Sequence, residues 1–152
     1  MTLSPEGMYL IGNIVFDMIP NDEIKGIGGL TLGADAISNA VAYTSYLKGK
    51  PIEAFVVRKN AKEHGTMQWI EGNVKAGDSV VVVDDVITTG SSTIQAITRL
   101  KETGIFVKKV VVLLDRQEGG RENILHFLSE CGFPPVLEAV VLRDEVMALY
   151  KN

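Results

Sequence analysis

The stretch "VVVVDDVITTGSST", residues 80 to 93, holds the chemistry of this chain. Four valines run into Asp84 and Asp85, and these into Val86, Ile87, Thr88, Thr89, Gly90, Ser91 and Ser92. A buried strand has no use for adjacent carboxylates and a surface turn none for four valines. The pattern instead suits an apolar strand that delivers two negative charges to its carboxyl end, followed by a loop opening a helix. Backbone N–H groups of a small-residue loop and of a helix's first turn form a nest for phosphate. Thr88, Thr89, Ser91 and Ser92 add hydroxyl donors, and Gly90 permits backbone angles that other residues resist. The two carboxylates can accept hydrogen bonds from vicinal hydroxyls, or hold Mg²⁺ through water. The expected ligand is a sugar phosphate.

Two other segments carry charge in patterns worth reading. "RKNAKEHG" places Arg58, Lys59, Lys62 and His64 within seven residues of a chain whose net charge is −4. Such a cluster is either a solvated loop or the counterpart of a polyanion. "LLDRQEGG" sets Arg116 after Asp115 at the end of another apolar strand, where a guanidinium can grip a planar carboxylate through two parallel bonds. A surface ion pair with Asp115 or Glu118 is the plainer reading of Arg116. A Walker A loop would need GK[ST], which is absent. A receiver-type acidic pair would follow the first strand rather than stand at 84 and 85. His126 and Trp69 are expected to pack or lie at the surface, and Cys131 to be a small buried side chain.

The elements that must position these groups alternate. Ser4 as N-cap, Pro5 at the first helical position and apolar Met8, Ile11, Val15, Met18 and Ile19 predict a helix. A short strand at Ile24–Gly29, a helix closed by Gly49, and a strand at Ile52–Val57 follow. The polar stretch 58–73 lacks core periodicity. Beyond it come a strand Ser79–Val83, a helix Ser92–Glu102, strand "VKKVVVLL", helix Arg121–Glu130, strand "VLEAVVL" and a short helix from Asp144. Continuous apolar strands alternating with helices predict a single α/β domain over 1–152, its central sheet mostly parallel and flanked by helices in a Rossmann-like manner. Ligands of such sheets bind beyond the carboxyl ends of the strands.

The composition bounds the rest. One cysteine excludes an internal disulfide and a cysteine-rich zinc site. With apolar runs of about five residues against the ~20 needed to span a bilayer, and no secretory signal, a cytoplasmic protein that binds neither membrane nor nucleic acid is expected.

The string from acidic pair to Ser92 closely resembles the phosphoribosyl pyrophosphate (PRPP) motif of type I phosphoribosyltransferases. "RKNAKEHG" and "DRQE" resemble the matching segments of the orotate phosphoribosyltransferases, and "GGLTLGAD" (Gly28–Asp35) their pyrophosphate loop, with Leu32 where some members carry lysine. The resemblance implies the type I phosphoribosyltransferase fold and Mg²⁺-dependent transfer of 5-phosphoribosyl from PRPP to orotate, giving orotidine 5′-phosphate and pyrophosphate in UMP biosynthesis. It implies PRPP contacts from Arg58, Lys59, Lys62, His64, Asp84, Asp85 and residues 86–92, and orotate contacts from Thr88 and Arg116. Lys62, His64, Asp84 and Asp85 would be catalytic. Mg²⁺ would be held by PRPP and water rather than directly by protein, a flexible lid would span about 58–72, and a homodimer would share that lid across its interface. Members also build a small hood over the base from residues ahead of the first helix, whereas here that helix begins almost at once. A different acceptor base, or a PRPP-sensing regulator that binds nucleic acid, are the alternatives; a net charge of −4 and a lone domain speak against the regulator.

Overall fold

The computed structural model describes residues 2–20, 23–61 and 68–151. Its elements run α1 (Pro5–Asp17), β1 (Gly26–Leu30), α2 (Asp35–Leu47), β2 (Glu53–Val57), β3 (Ile70–Gly72), β4 (Ser79–Ile87), α3 (Ser91–Glu102), β5 (Phe106–Asp115), α4 (Gly120–Glu130), β6 (Leu137–Leu142) and α5 (Arg143–Leu149). One six-stranded sheet has the order β3-β2-β1-β4-β5-β6. All neighbours are parallel except β2 and β3, which pair antiparallel.

The four valines need no polar alternation because both faces of β4 are covered. Val80 and Val82 pack with Ala96, Ile97 and Leu100 of α3 and with Ile124 and Leu128 of α4. Val81 and Val83 pack with Ile11 and Val15 of α1 and Ile37 and Val41 of α2. Alternate side chains of one strand thus feed two separate cores. The first helix starts as its sequence predicts, with Ser4 Oγ accepting from the Gly7 N–H at 3.0 Å and Pro5 in the first turn.

Three expectations are corrected. The strand expected to stop at Val83 runs to Ile87, because Asp84, Val86 and Ile87 continue the ladder with Val112, Leu114 and Asp115 of β5. The acidic pair and the first residues of the expected loop are therefore strand. The polar stretch 58–73 hides β3, whose Ile70 is buried against Val57, so its final residues belong to the sheet rather than to a lid reaching 72. Cys131 is half-buried rather than buried. No helix among the described residues is long and apolar enough to cross a membrane.

Candidate active site

Asp84 and Asp85 stand at the carboxyl end of the central strand and divide their environments. Asp84, only 7% exposed, shares the face of Val80 and Val82, and its Oδ2 accepts from Thr93 Oγ1 of α3 at 2.9 Å. Its Oδ1 accepts from the Asp85 N–H at 2.9 Å. Burial, with the Asp85 carboxylate adding to it, pushes its pKa from 3.8 up to about 6. Asp85 is half-buried, and its Oδ1 accepts from the Val86 N–H at 2.8 Å. The turn after β1 closes on both carboxylates. A Cβ built on Gly33 would stand 2.7 Å from Asp85 Oδ1 and 3.1 Å from Asp84 Oδ1. In that turn the Thr31–Leu32 peptide is cis and Leu32 is 79% exposed.

Beyond Ile87 the chain leaves the sheet as the small-residue loop. Thr88 is half-buried, Thr89, Ser91 and Ser92 are exposed, and Gly90 caps α3 with φ of +85°. A left-handed residue lets the loop reverse directly into the helix, one position earlier than the sequence predicts. The backbone N–H groups of Thr89 and Gly90 donate to no backbone carbonyl among the described residues.

On the other flank, Thr31, Asp35, Val56, Arg58, Lys59, Asn60 and Glu71 line an open cavity of about 440 Å³. Thr31 Oγ1 donates to Asp35 Oδ2 at 2.8 Å, while Arg58 Nη1 donates to Glu71 Oε1 at 2.7 Å across the β2–β3 ribbon. A larger hollow of about 760 Å³, lined by residues such as Phe16, Glu23 and Lys50, lies at the amino ends of β1 and β2, the opposite edge of the sheet from the carboxylates. Concave volume alone therefore does not locate the chemistry. Arg116, at the end of β5, is exposed and pairs with Glu118 at 3.0 Å, not with Asp115. Asp115 is buried and accepts from the Gln117 N–H at 2.8 Å. The Arg116 N–H itself donates to the Ile87 carbonyl at 3.1 Å, tying the base of the small-residue loop to the arginine segment.

Of the residues singled out in the sequence, Arg58, Lys59, Asp84, Asp85, Thr88–Ser92 and Arg116 gather along one sheet edge, while Lys62 and His64 lie outside the described residues. Sequence reading assigned no individual role to Gly33 and Asp35, although both lie in the Gly28–Asp35 segment read as a pyrophosphate loop, and none to Glu71 and Thr93. Their individual signal is placement after a strand, at a helix start or on a ribbon, which becomes visible once the elements are packed. Trp69 stacks under the Arg99 guanidinium at 3.6 Å, and His126 is a surface residue beside Glu130.

The arrangement can hold a molecule with an anionic group at each end and hydroxyls between. Residues 27–129 match the phosphoribosyl transferase domain model. The orotate phosphoribosyltransferase of Aquifex aeolicus is 46% identical over 124 residues, covering 82% of this chain and 68% of that protein. The chain belongs to the orotate phosphoribosyltransferase family. The same enzyme from Nostoc is 46% identical over 80% of this chain, which spans 59% of that relative's length. The solved orotate phosphoribosyltransferase of Mycobacterium tuberculosis in complex with PRPP superposes with a TM-score of 0.79 at 32% identity, covering 95% of this chain and 78% of that one. The fold is therefore that of the type I phosphoribosyltransferases.

Proposed function

We propose that this family member transfers the 5-phosphoribosyl group of PRPP to orotate, releasing pyrophosphate and forming orotidine 5′-phosphate for UMP synthesis. The observation that carries this reading is the order of groups along one sheet edge: the Arg58–Lys59 cavity, the acidic pair, the small-residue loop, and Arg116 bonded to that loop's base. The 5′-phosphate occupies the N–H groups and hydroxyls of Thr88–Ser92, and the ribose hydroxyls donate to Asp84 and Asp85. Pyrophosphate faces Arg58 and Lys59, with Lys62 and His64 completing the cationic set.

In the reaction the orotate ring nitrogen gives up its proton to solvent and forms a bond to ribose C1, while the C1–O bond breaks and its electron pair leaves on pyrophosphate. Positive charge grows on the sugar beside the carboxylates and negative charge on the leaving group beside the cations, so both flanks stabilise the transition state more than the ground state. Anchoring the phosphate at a distance from C1 aligns the reacting carbon. Asp84 and Asp85 would hold Mg²⁺ through water, alongside the oxygens of PRPP. The donor set fits that role, since two adjacent carboxylates, one of them only half-buried, suffice for contacts through water. Such an ion neutralises charge on the leaving group. The enzyme works in the cytoplasm as a homodimer whose lid, formed from the segment after Arg58, closes over a neighbouring site and excludes water.

Loss of orotate's ultraviolet absorbance in the presence of PRPP and Mg²⁺ tests the reading. Turnover with orotate but not with purine bases is expected, and PRPP binding without orotate turnover would overturn the assignment of the base. Arg116→Ala is expected to raise KM for orotate about thirtyfold while the Kd for PRPP stays within about twofold. Arg116→Lys keeps the charge but loses the planar fork, and should recover only part of that loss. Equal losses for both substrates would remove Arg116 from the orotate site.

A further inference from the structure

We infer that Gly120 and Asn123, at the start of α4, are positioning residues that hold the phosphate loop in its binding shape. This rests on the proposal that Thr88–Ser92 take the 5′-phosphate, and assigns a role to the second glycine and the helix that follow "DRQE". Both act through the loop's backbone, which is what they touch.

Three contacts join the segments. The Arg116 N–H donates to the Ile87 carbonyl at 3.1 Å. Asn123 Nδ2 donates to the Thr89 carbonyl at 2.9 Å, bridging 34 positions of sequence. Between them the backbones touch. A Cβ on Gly120 would lie 2.5 Å from the Thr88 carbonyl oxygen and 3.0 Å from the Gly90 nitrogen, and one on Gly90 would lie 2.9 Å from the Gly120 carbonyl oxygen and 2.9 Å from the Ile124 side chain. Ile124 is fully buried, so the floor under Gly90 cannot give way.

The consequence is directional. With the Ile87 carbonyl held by the Arg116 N–H just after β5 and the Thr89 carbonyl held by Asn123 of α4, the intervening amides are kept in one orientation, and the Thr89 and Gly90 N–H groups stay free of backbone partners for an anion. A loop of small residues left to itself would sample many shapes, and binding would have to restrict them. The contact with α4 supplies that restriction in advance. Gly120 is required because any side chain there would push on the Thr88 carbonyl, and Asn123 because a neutral donor of its length reaches the Thr89 carbonyl.

Calorimetric titration of the whole chain with PRPP, ribose 5-phosphate and magnesium pyrophosphate tests this, because only the first two carry a 5′-phosphate. Asn123→Ala is expected to raise the Kd of PRPP and ribose 5-phosphate about fivefold, the weight of one hydrogen bond. Gly120→Ala is expected to raise both about thirtyfold through overpacking. Pyrophosphate, which binds at the Arg58 end, should change less than about twofold in either variant. Should Gly120→Ala fail to fold, the exposed Asn123 still decides the matter. Equal weakening of all three ligands would mean a general structural role, and unchanged affinities would mean no role; either overturns the inference. A wild-type chain that binds neither PRPP nor ribose 5-phosphate would overturn the phosphate-site reading as well.

Discussion

Asp84→Asn is expected to lower kcat/KM for PRPP by roughly 10²–10³-fold while making the protein more stable above pH 6. Both effects have one cause. Asp84 is 7% exposed and pays for burial as an anion, which is why its pKa stands near 6 rather than 3.8. Between those two values the folded protein keeps a proton that the unfolded chain has released. Stability therefore falls as pH rises through that window and stays lowered above it. The full shift corresponds to at most about 3 kcal/mol. Asparagine removes the charge, and the Thr93 hydroxyl can turn to accept from its amide. A gain of about 1–2 kcal/mol near pH 8, shrinking as the pH is lowered toward 4, is the expected result of paired thermal melts. Activity responds in the opposite sense, since ribose hydroxyls need the anion as acceptor. In the wild type, PRPP affinity should climb with pH through about 6, and this limb should vanish in the variant. A variant that is less stable at every pH, or that keeps wild-type turnover, would show that Asp84 is an ordinary structural carboxylate.

Gly28→Ala is the second large effect, and it falls on folding. Gly28 lies in β1 between β2 and β4. A Cβ there would come within 2.1 Å of the Phe55 carbonyl oxygen and 2.7 Å of the Phe55 ring. Phe55 is 1% exposed and packed in the core with Val80, Val82 and Ile97, so neither its backbone nor its ring has room to retreat. A loss of about 3 kcal/mol is expected, read as a urea midpoint lowered by about 1–2 M. A midpoint shifted by less than about 0.3 M would mean that β1 and β2 can separate at small cost. The close approach also serves the site, since β1 carries the turn whose Gly33 closes on Asp84 and Asp85.

The linear chain determined a good deal by itself. The apolar run ending in two aspartates, the hydroxyl-rich loop and the arginine after a second apolar strand are local patterns, and short-range physics is enough to read them. An unalternating strand must be covered on both faces, a Ser-Pro start caps a helix, and a glycine with positive φ reverses a loop into one. The parallel sheet followed from the alternation of such elements, and the carboxyl edge as the place of the site followed from the sheet.

What only the tertiary structure decided are the relations between segments distant in sequence. β3 was unreadable because three residues, two of them Glu71 and Gly72, bear no period of their own and become strand by pairing with β2. The extension of β4 to Ile87 depends on β5 offering a ladder that far. The raised pKa of Asp84 depends on its burial beside α3, where Thr93 meets its carboxylate. The engagement of Arg58 by Glu71, and of the phosphate loop by Asn123, join residues 13 and 34 positions apart, where no local propensity acts. Types and spacing name the chemistry, whereas burial and long-range hydrogen bonds assign each residue its share of it.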